Sequence, residues 1–222
     1  MKKEIAALVP VREGSQRVKG KNFIEFAGGK SLLDIKIDQL KNAGCFDKIY
    51  ISSDSPRVEA IAKKNKVEFL KRDTRMCQAD VLLSDVITHV ITTIPGDPIV
   101  TWALVTSPLF TNFAPAVKKF LHMQKEKDSL VAVLPKKSFF LNEHGRGINY
   151  NPGWWHPYSQ QLETYYEVTG ACYIGVKSDM LKWNYWFGVK PFLFEVSSLE
   201  SVDVDTQADY EFARKIYKVQ NA

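Results

Sequence analysis

Hydrophobic and polar positions along this chain fall into short blocks that switch between two periods. Ile5 to Val9 is an apolar run closed by Pro10, the pattern of a strand buried on both faces. Ser31 to Ala43 reads as a helix, with Leu32, Leu33, Ile35, Ile37 and Leu40 apolar, Ser31 at the N-cap and Gly44 at the C-cap. Lys48 to Ser53 reads as a strand, Pro56 to Lys66 as a helix, and Val67 to Leu70 as a strand. Asp80 to Thr93 predicts a helix with Val86, Val90 and Ile91 inward, and Ile99 to Val105 a central strand. Ala114 to Gln124 predicts a helix and Ser129 to Leu134 a strand. Strands at Gly170 to Val176 and Phe192 to Val196 flank a short helix at Ser178 to Leu181. Ser201 to Asp205 alternates, and Thr206 is placed to cap a last helix, Gln207 to Val219. This alternation predicts an α/β chain of three layers around a mostly parallel central sheet.

Between Pro135 and Glu167 the period is lost. The stretch is rich in Asn, Gly, Pro and aromatics, including Trp154, Trp155, Tyr158, Tyr165 and Tyr166. We read the chain as a single domain, 1–222, with 135–168 as an excursion: either an arm toward a partner or one folded back on its own domain. Trp183, Tyr185, Trp186 and Phe187 read as packing or arm contacts rather than a cofactor box.

Composition narrows the function classes. The 222 residues are 45% apolar with a formal net charge of +5. That charge suits small anions, and without a long Lys/Arg block it does not call for nucleic acid. No stretch approaches the roughly 20 apolar residues of a membrane helix, and the first residues do not form a signal peptide. Cys45, Cys77 and Cys172 are scattered, which speaks against a zinc site or a disulfide framework. These features predict a reduced, cytoplasmic protein.

The chemistry concentrates at two places. After the first strand come Arg12, Gly14, Ser15, Arg17, Lys19, Gly20, Lys21 and Asn22. Glycine lets the backbone approach a polyphosphate, free N–H groups point at it, and Lys and Arg neutralise it. The loop is neither a Walker loop nor a dinucleotide fingerprint, so local chemistry leaves a merely basic surface loop open. Near the other end, Asp203 and Asp205 lie at spacing two and face one way. Such a pair suits Mg²⁺ held together with substrate phosphates, or it is an acidic helix entrance with Asp205 as cap. Asp54 is expected to cap the helix that starts near Pro56.

The order Pro10, Arg12, Gly14-Ser15, Arg17, Gly20-Lys21-Asn22 resembles the signature loop of the CMP-sialic-acid synthetases, the acylneuraminate cytidylyltransferases. Five later motifs follow in that family's order: Ser52-Ser53-Asp54, Lys71-Arg72-Asp73, Thr106-Ser107-Pro108-Leu109, Thr169-Gly170-Ala171-Cys172-Tyr173 and Asp203-Val204-Asp205-Thr206. The resemblance implies a Rossmann-like nucleotidyltransferase fold with a protruding dimerisation arm, hence a homodimer. It implies transfer of CMP from CTP to a sugar-like acceptor, with Arg12, Lys21, Asp203 and Asp205 catalytic and Mg²⁺ on Asp203 and Asp205. Gly14, Ser15, Arg17 and Asn22 would hold the nucleotide together with Arg12 and Lys21. Arg72 and Ser84 would meet the base, although Ser84 reads equally as a serine of a helix start. Thr106, Ser107, Gln161, Glu167 and Thr169 would line the acceptor.

The departures from that family cluster on the acceptor side. Leu104-Val105 stands where the family has Gln and Pro, Glu167 where it has Arg, and Ser159-Gln160-Gln161-Leu162-Glu163 where it has an Arg-led stretch. A carboxylated sugar would find Glu167 repulsive, so the expected acceptor is not N-acetylneuraminate. In the basic loop, Gln16 replaces Lys and Glu13 brings an acid into an anion-binding segment.

Overall fold

A computed structural model of the chain describes residues 3–14 and 17–221. Its elements run in the order β1 (Ile5–Pro10), β2 (Glu25–Ala27), β3 (Lys30–Ser31), α1 (Leu32–Ala43), β4 (Lys48–Ser53), α2 (Pro56–Lys64), β5 (Glu68–Lys71), α3 (Leu83–Thr92), β6 (Ile99–Trp102), α4 (Phe113–Met123), β7 (Ser129–Lys136), β8 (Tyr165–Val176), α5 (Lys177–Trp183), β9 (Pro191–Glu195) and α6 (Gln207–Gln220). Seven strands form one sheet in the order β5-β4-β1-β6-β8-β7-β9, while β2 and β3 make a separate pair.

The sheet is mostly parallel, as the alternation predicts. β5, β4, β1 and β6 run together, and β7 and β9 run together. β8 is antiparallel to both its neighbours, because it returns beside β7 and needs no crossover helix. Helices cover both faces. Ile5, Ala7 and Val9 point to a core shared with α1, α2, α4 and α6. Ala6 and Leu8 point to the opposite core, shared with Ile87, Val90 and Ile91 of α3 and Met180 of α5. That two-sided burial is why β1 reads as a continuous apolar run.

The helix ends follow local chemistry. Ser31 accepts a bond from the Asp34 N–H at 3.2 Å, and the Asp34 carboxylate accepts from the Ser31 N–H at 3.0 Å. Gly44 closes α1 with a left-handed φ of 62°. At α2 the cap is Ser55, not Asp54: Pro56 is the first helical residue, so the N-cap falls one position later than expected.

Two expected elements differ. Ser201 to Asp205 is extended but joins no strand, because the Val204 N–H bonds the Thr106 carbonyl at 2.7 Å and no ladder continues. The excursion is shorter than 135–168, since Leu134, Pro135 and Lys136 of β7 pair with Glu167, Tyr166 and Tyr165 of β8. Beyond that pairing, Phe139 packs edge-on to Tyr150 at 4.8 Å and stacks on His156 at 4.7 Å. Trp154, Trp155 and Tyr158 remain exposed.

Candidate active site

Ligands of such sheets bind beyond the carboxyl ends of the strands. A cleft of about 760 Å³ lies there, lined by the loop after β1, the segment after β5, the start of α3, the end of β6 and the Asp203–Asp205 segment. The two chemical centres, nearly the length of the chain apart, meet in it. Lys21 Nζ donates to the Val204 carbonyl at 2.5 Å and sits 3.3 Å from Asp205 Oδ1. Arg17 Nη2 is 3.1 Å from the same carboxylate oxygen. Arg12 lines the cleft as well.

This geometry decides between the two readings of the acid pair. Thr206 caps α6, accepting from the Asp209 N–H at 3.2 Å, so the Asp205 carboxylate is not a cap. Asp203 is different from Asp205. Its Oδ1 is buried and has no hydrogen-bond partner. Burial pushes its carboxyl above the usual carboxylate range, Thr106 opposes this through a hydrogen bond, and the Asp205 charge adds to it. Among the described residues, no group of three or more His, Cys, Asp or Glu side chains is placed to hold a metal.

Asn22 is buried, and its Nδ2 donates to the Arg12 carbonyl at 3.2 Å, which fixes the loop that carries Arg12. Its Oδ1 lacks a partner. Glu13, the acid in the basic loop, turns away from the cations: its Oε1 accepts from the Ser55 hydroxyl at 2.7 Å. Gly14 is exposed, and a Cβ there would meet nothing within 4 Å. Ser15 and Gln16 lie outside the described residues.

Arg72 lines the cleft but is buried and committed to the backbone. Its Nη2 reaches the Ser52 carbonyl at 2.5 Å and the Val11 carbonyl at 3.3 Å. It ties β4 to the loop after β1. Ser84 sits in the first turn of α3 and does not line the cleft; Val81, Leu83 and Val86 do.

The residues expected around the acceptor scatter. Thr106 lines the cleft. Ser107 is buried behind it, its carbonyl accepting from Lys36 Nζ at 2.9 Å. Thr169 is buried in the β7–β8 irregularity, where its hydroxyl donates to the Ala132 carbonyl at 3.0 Å. Gln161 is exposed, and its Oε1 accepts from the Tyr158 N–H at 3.1 Å. Glu167 is exposed on β8 and 3.1 Å from Lys136. Neither Gln161 nor Glu167 reaches the cleft of its own subunit, so the argument from Glu167 repulsion does not apply there.

Residues that the sequence reading left out also line the cleft: Met76, Cys77, Trp102, Leu104 and Trp186. Trp102 is the inward residue at the end of β6, hidden within a run that reads only as core. Trp186 lies on the loop after α5, where no periodicity marks a facing direction.

Residues 6–104 match the family model described as cytidylyltransferase. Pseudaminic acid cytidylyltransferase of Campylobacter jejuni is 28% identical over 96% of both chains. The chain is a nucleotidyltransferase related to the cytidylyltransferases. N-acylneuraminate cytidylyltransferase of Escherichia coli is 23% identical over all of this chain and 54% of its own length. Among solved structures, CMP:2-keto-3-deoxy-manno-octonic acid synthetase complexed with CTP has a TM-score of 0.69 at 13% identity, covering 98% of this chain and 99% of that one. 4-Diphosphocytidyl-2C-methyl-D-erythritol synthase of Anaerococcus prevotii has a TM-score of 0.65 at 14% identity, covering 97% and 99%. The fold class read from the sequence is thereby borne out.

Proposed function

We propose that this enzyme transfers CMP from CTP to a sugar-acid acceptor other than N-acetylneuraminate and releases pyrophosphate. The observation that carries the reading is Lys21, which bridges the basic loop to Val204 and Asp205 across one cleft. Arg12, Arg17 and Lys21 hold the triphosphate, with backbone N–H groups around Gly14. An acceptor hydroxyl oxygen attacks the α-phosphorus in line. The new P–O bond replaces the bond to the bridging oxygen, and the cations stabilise the charge that collects on pyrophosphate. Asn22 keeps Arg12 in place, and Arg72 holds the loop against β4 beside the nucleotide. Ser84 stays a proposed base contact, and Thr106 orients Asp203.

Asp203 and Asp205 are the proposed magnesium ligands. The residues fit the ion: Asp203 Oδ1 is a buried acceptor without a partner, and Mg²⁺ takes one or two carboxylates plus phosphates and water. When bound, it neutralises charge on the phosphates. The acceptor reading rests on Leu104, an apolar residue lining the cleft where the resembling enzymes have Gln. Pseudaminic acid, named for the Campylobacter relatives, is our first candidate. Exposed Trp154, Trp155 and Tyr158 support a homodimer through the excursion, where Gln161 and Glu167 would face a partner's cleft. No helix among the described residues is long and apolar enough to cross a membrane, and the three cysteines are unpaired; we place the enzyme in the cytoplasm.

The test is a panel of the four NTPs and Mg²⁺ with pseudaminic, N-acetylneuraminic and 2-keto-3-deoxy-manno-octonic acids, read as pyrophosphate. We expect release with CTP alone among nucleotides. Release with another NTP, or CTP binding without release, would overturn the assignment.

A further inference from the structure

The cations of the cleft come from the β1 and β5 side of the sheet. The wall built on β6 and β8 is aromatic. Trp186 stacks on Tyr173 of β8 at 4.7 Å between centroids and 19° between planes, and meets Trp102 edge-on at 5.9 Å. Leu104 continues this wall, and Trp102, Leu104 and Trp186 all line the cleft. The ring nitrogens of both tryptophans are buried donors with no partner, which is uncommon in a folded protein.

The loop that carries Trp186 is pinned. The Gly188 N–H donates to Ser129 Oγ at 3.0 Å and the Lys190 N–H to Asp128 Oδ2 at 2.9 Å. A Cβ at position 188 would lie 2.5 Å from Asp128 Oδ2 and 2.6 Å from the Trp183 ring, so only glycine lets the loop pack this closely. A pinned indole is a preorganised contact surface.

We propose that Trp186, backed by Trp102 and Tyr173, is the specificity-determining residue for the acceptor, selecting a sugar that carries acylamino or methyl substituents over one bearing only hydroxyls. An indole face packs against C–H and methyl groups, and its N–H is a donor suited to an amide carbonyl. A hydroxyl-only sugar would leave this wall poorly matched. The inference rests on the proposed transfer reaction, and it names a side of the site that the reaction itself does not require.

The test compares wild type, Trp186→Phe and Trp186→Ala with two acceptors: pseudaminic acid, which has acylamino groups and a terminal methyl, and 2-keto-3-deoxy-manno-octonic acid, which has neither. For Trp186→Ala we expect KM for pseudaminic acid to rise about tenfold, with KM for the other acid and the calorimetric Kd for CTP changing less than about twofold. Trp186→Phe should keep most of the affinity, and it serves as the folded control if the alanine variant melts early. Equal losses on both acceptors, or none, would overturn the proposal. Pyrophosphate release is not needed for a second readout. Titrating pseudaminic acid into CTP-loaded protein should change indole fluorescence in wild type, and that change should vanish in Trp186→Phe. No change in wild type, or an undiminished one in Trp186→Phe, would sink the subsite. A wild type that shows the fluorescence change without releasing pyrophosphate would sink the reaction and leave the subsite standing.

Discussion

Lys21 is the residue on which the two ends of the chain converge. Its amine holds the Val204 carbonyl and neutralises Asp205. Lys21→Met should lower turnover about hundredfold or more, the scale seen when one preorganised charge is removed from a transition state. Steady-state pyrophosphate release checks this, and a variant within about threefold of wild type would remove Lys21 from the mechanism. Lys36 shows a different use of charge. Its amine is fully buried, donates to the Ser107 carbonyl, and lies 4.9 Å from the Phe113 ring centroid. Burial lowers its pKa from 10.5 to about 7, with nearby Cys172 opposing. The folded state thus binds fewer protons at this site than the unfolded chain between those two values, so its contribution makes stability rise with pH across that window. The melting temperature of wild type minus that of Lys36→Met should grow from about pH 7 upward; a difference flat with pH would contradict the burial argument.

At the scale of elements, the legible parts were those whose residues satisfy a local rule. Ser31 with Asp34, Gly44, and Thr206 with Asp209 mark helix ends that any α/β chain would need. Ser31→Ala should cost about 1 kcal/mol of stability by denaturant unfolding, and a cost near zero would mean the cap is not needed. The basic loop and the acid pair were legible as chemistry, because few structures other than an anion site gather four cations around glycines. What escaped was set by distant contacts. Asp54 lost the cap to Ser55 by one residue. Glu13 was an anomaly until Ser55 appeared beside it. Thr169 looked like a ligand and instead fills the β7–β8 irregularity. Trp186 depends on a loop pinned by Ser129 and Asp128, which no pattern of hydrophobic spacing encodes. Gly188→Ala would force that loop off its anchor; we expect acceptor KM to rise while CTP affinity holds, as separate titrations would show.

For the molecule as a whole, the parallel strands bring the segments after β1, β5 and β6 to one rim, and the stretch before α6 crosses back to meet them. The sheet explains why residues nearly two hundred positions apart share one cleft, while the excursion between β7 and β8 is left outside the core with its tryptophans exposed. Light scattering should give the mass of two chains for the intact protein. A variant with Trp154, Trp155 and Tyr158 changed to serine should approach one chain, and an unaltered mass would move the interface elsewhere. The central claim is that a triphosphate spans the basic loop and the two aspartates. A crystal structure with CTP and Mn²⁺, read by anomalous scattering, tests it most directly. We predict the phosphates along Arg12, Arg17 and Lys21, with the manganese peak at Asp203 and Asp205. Nucleotide bound elsewhere, or a metal peak remote from both carboxylates, would contradict it.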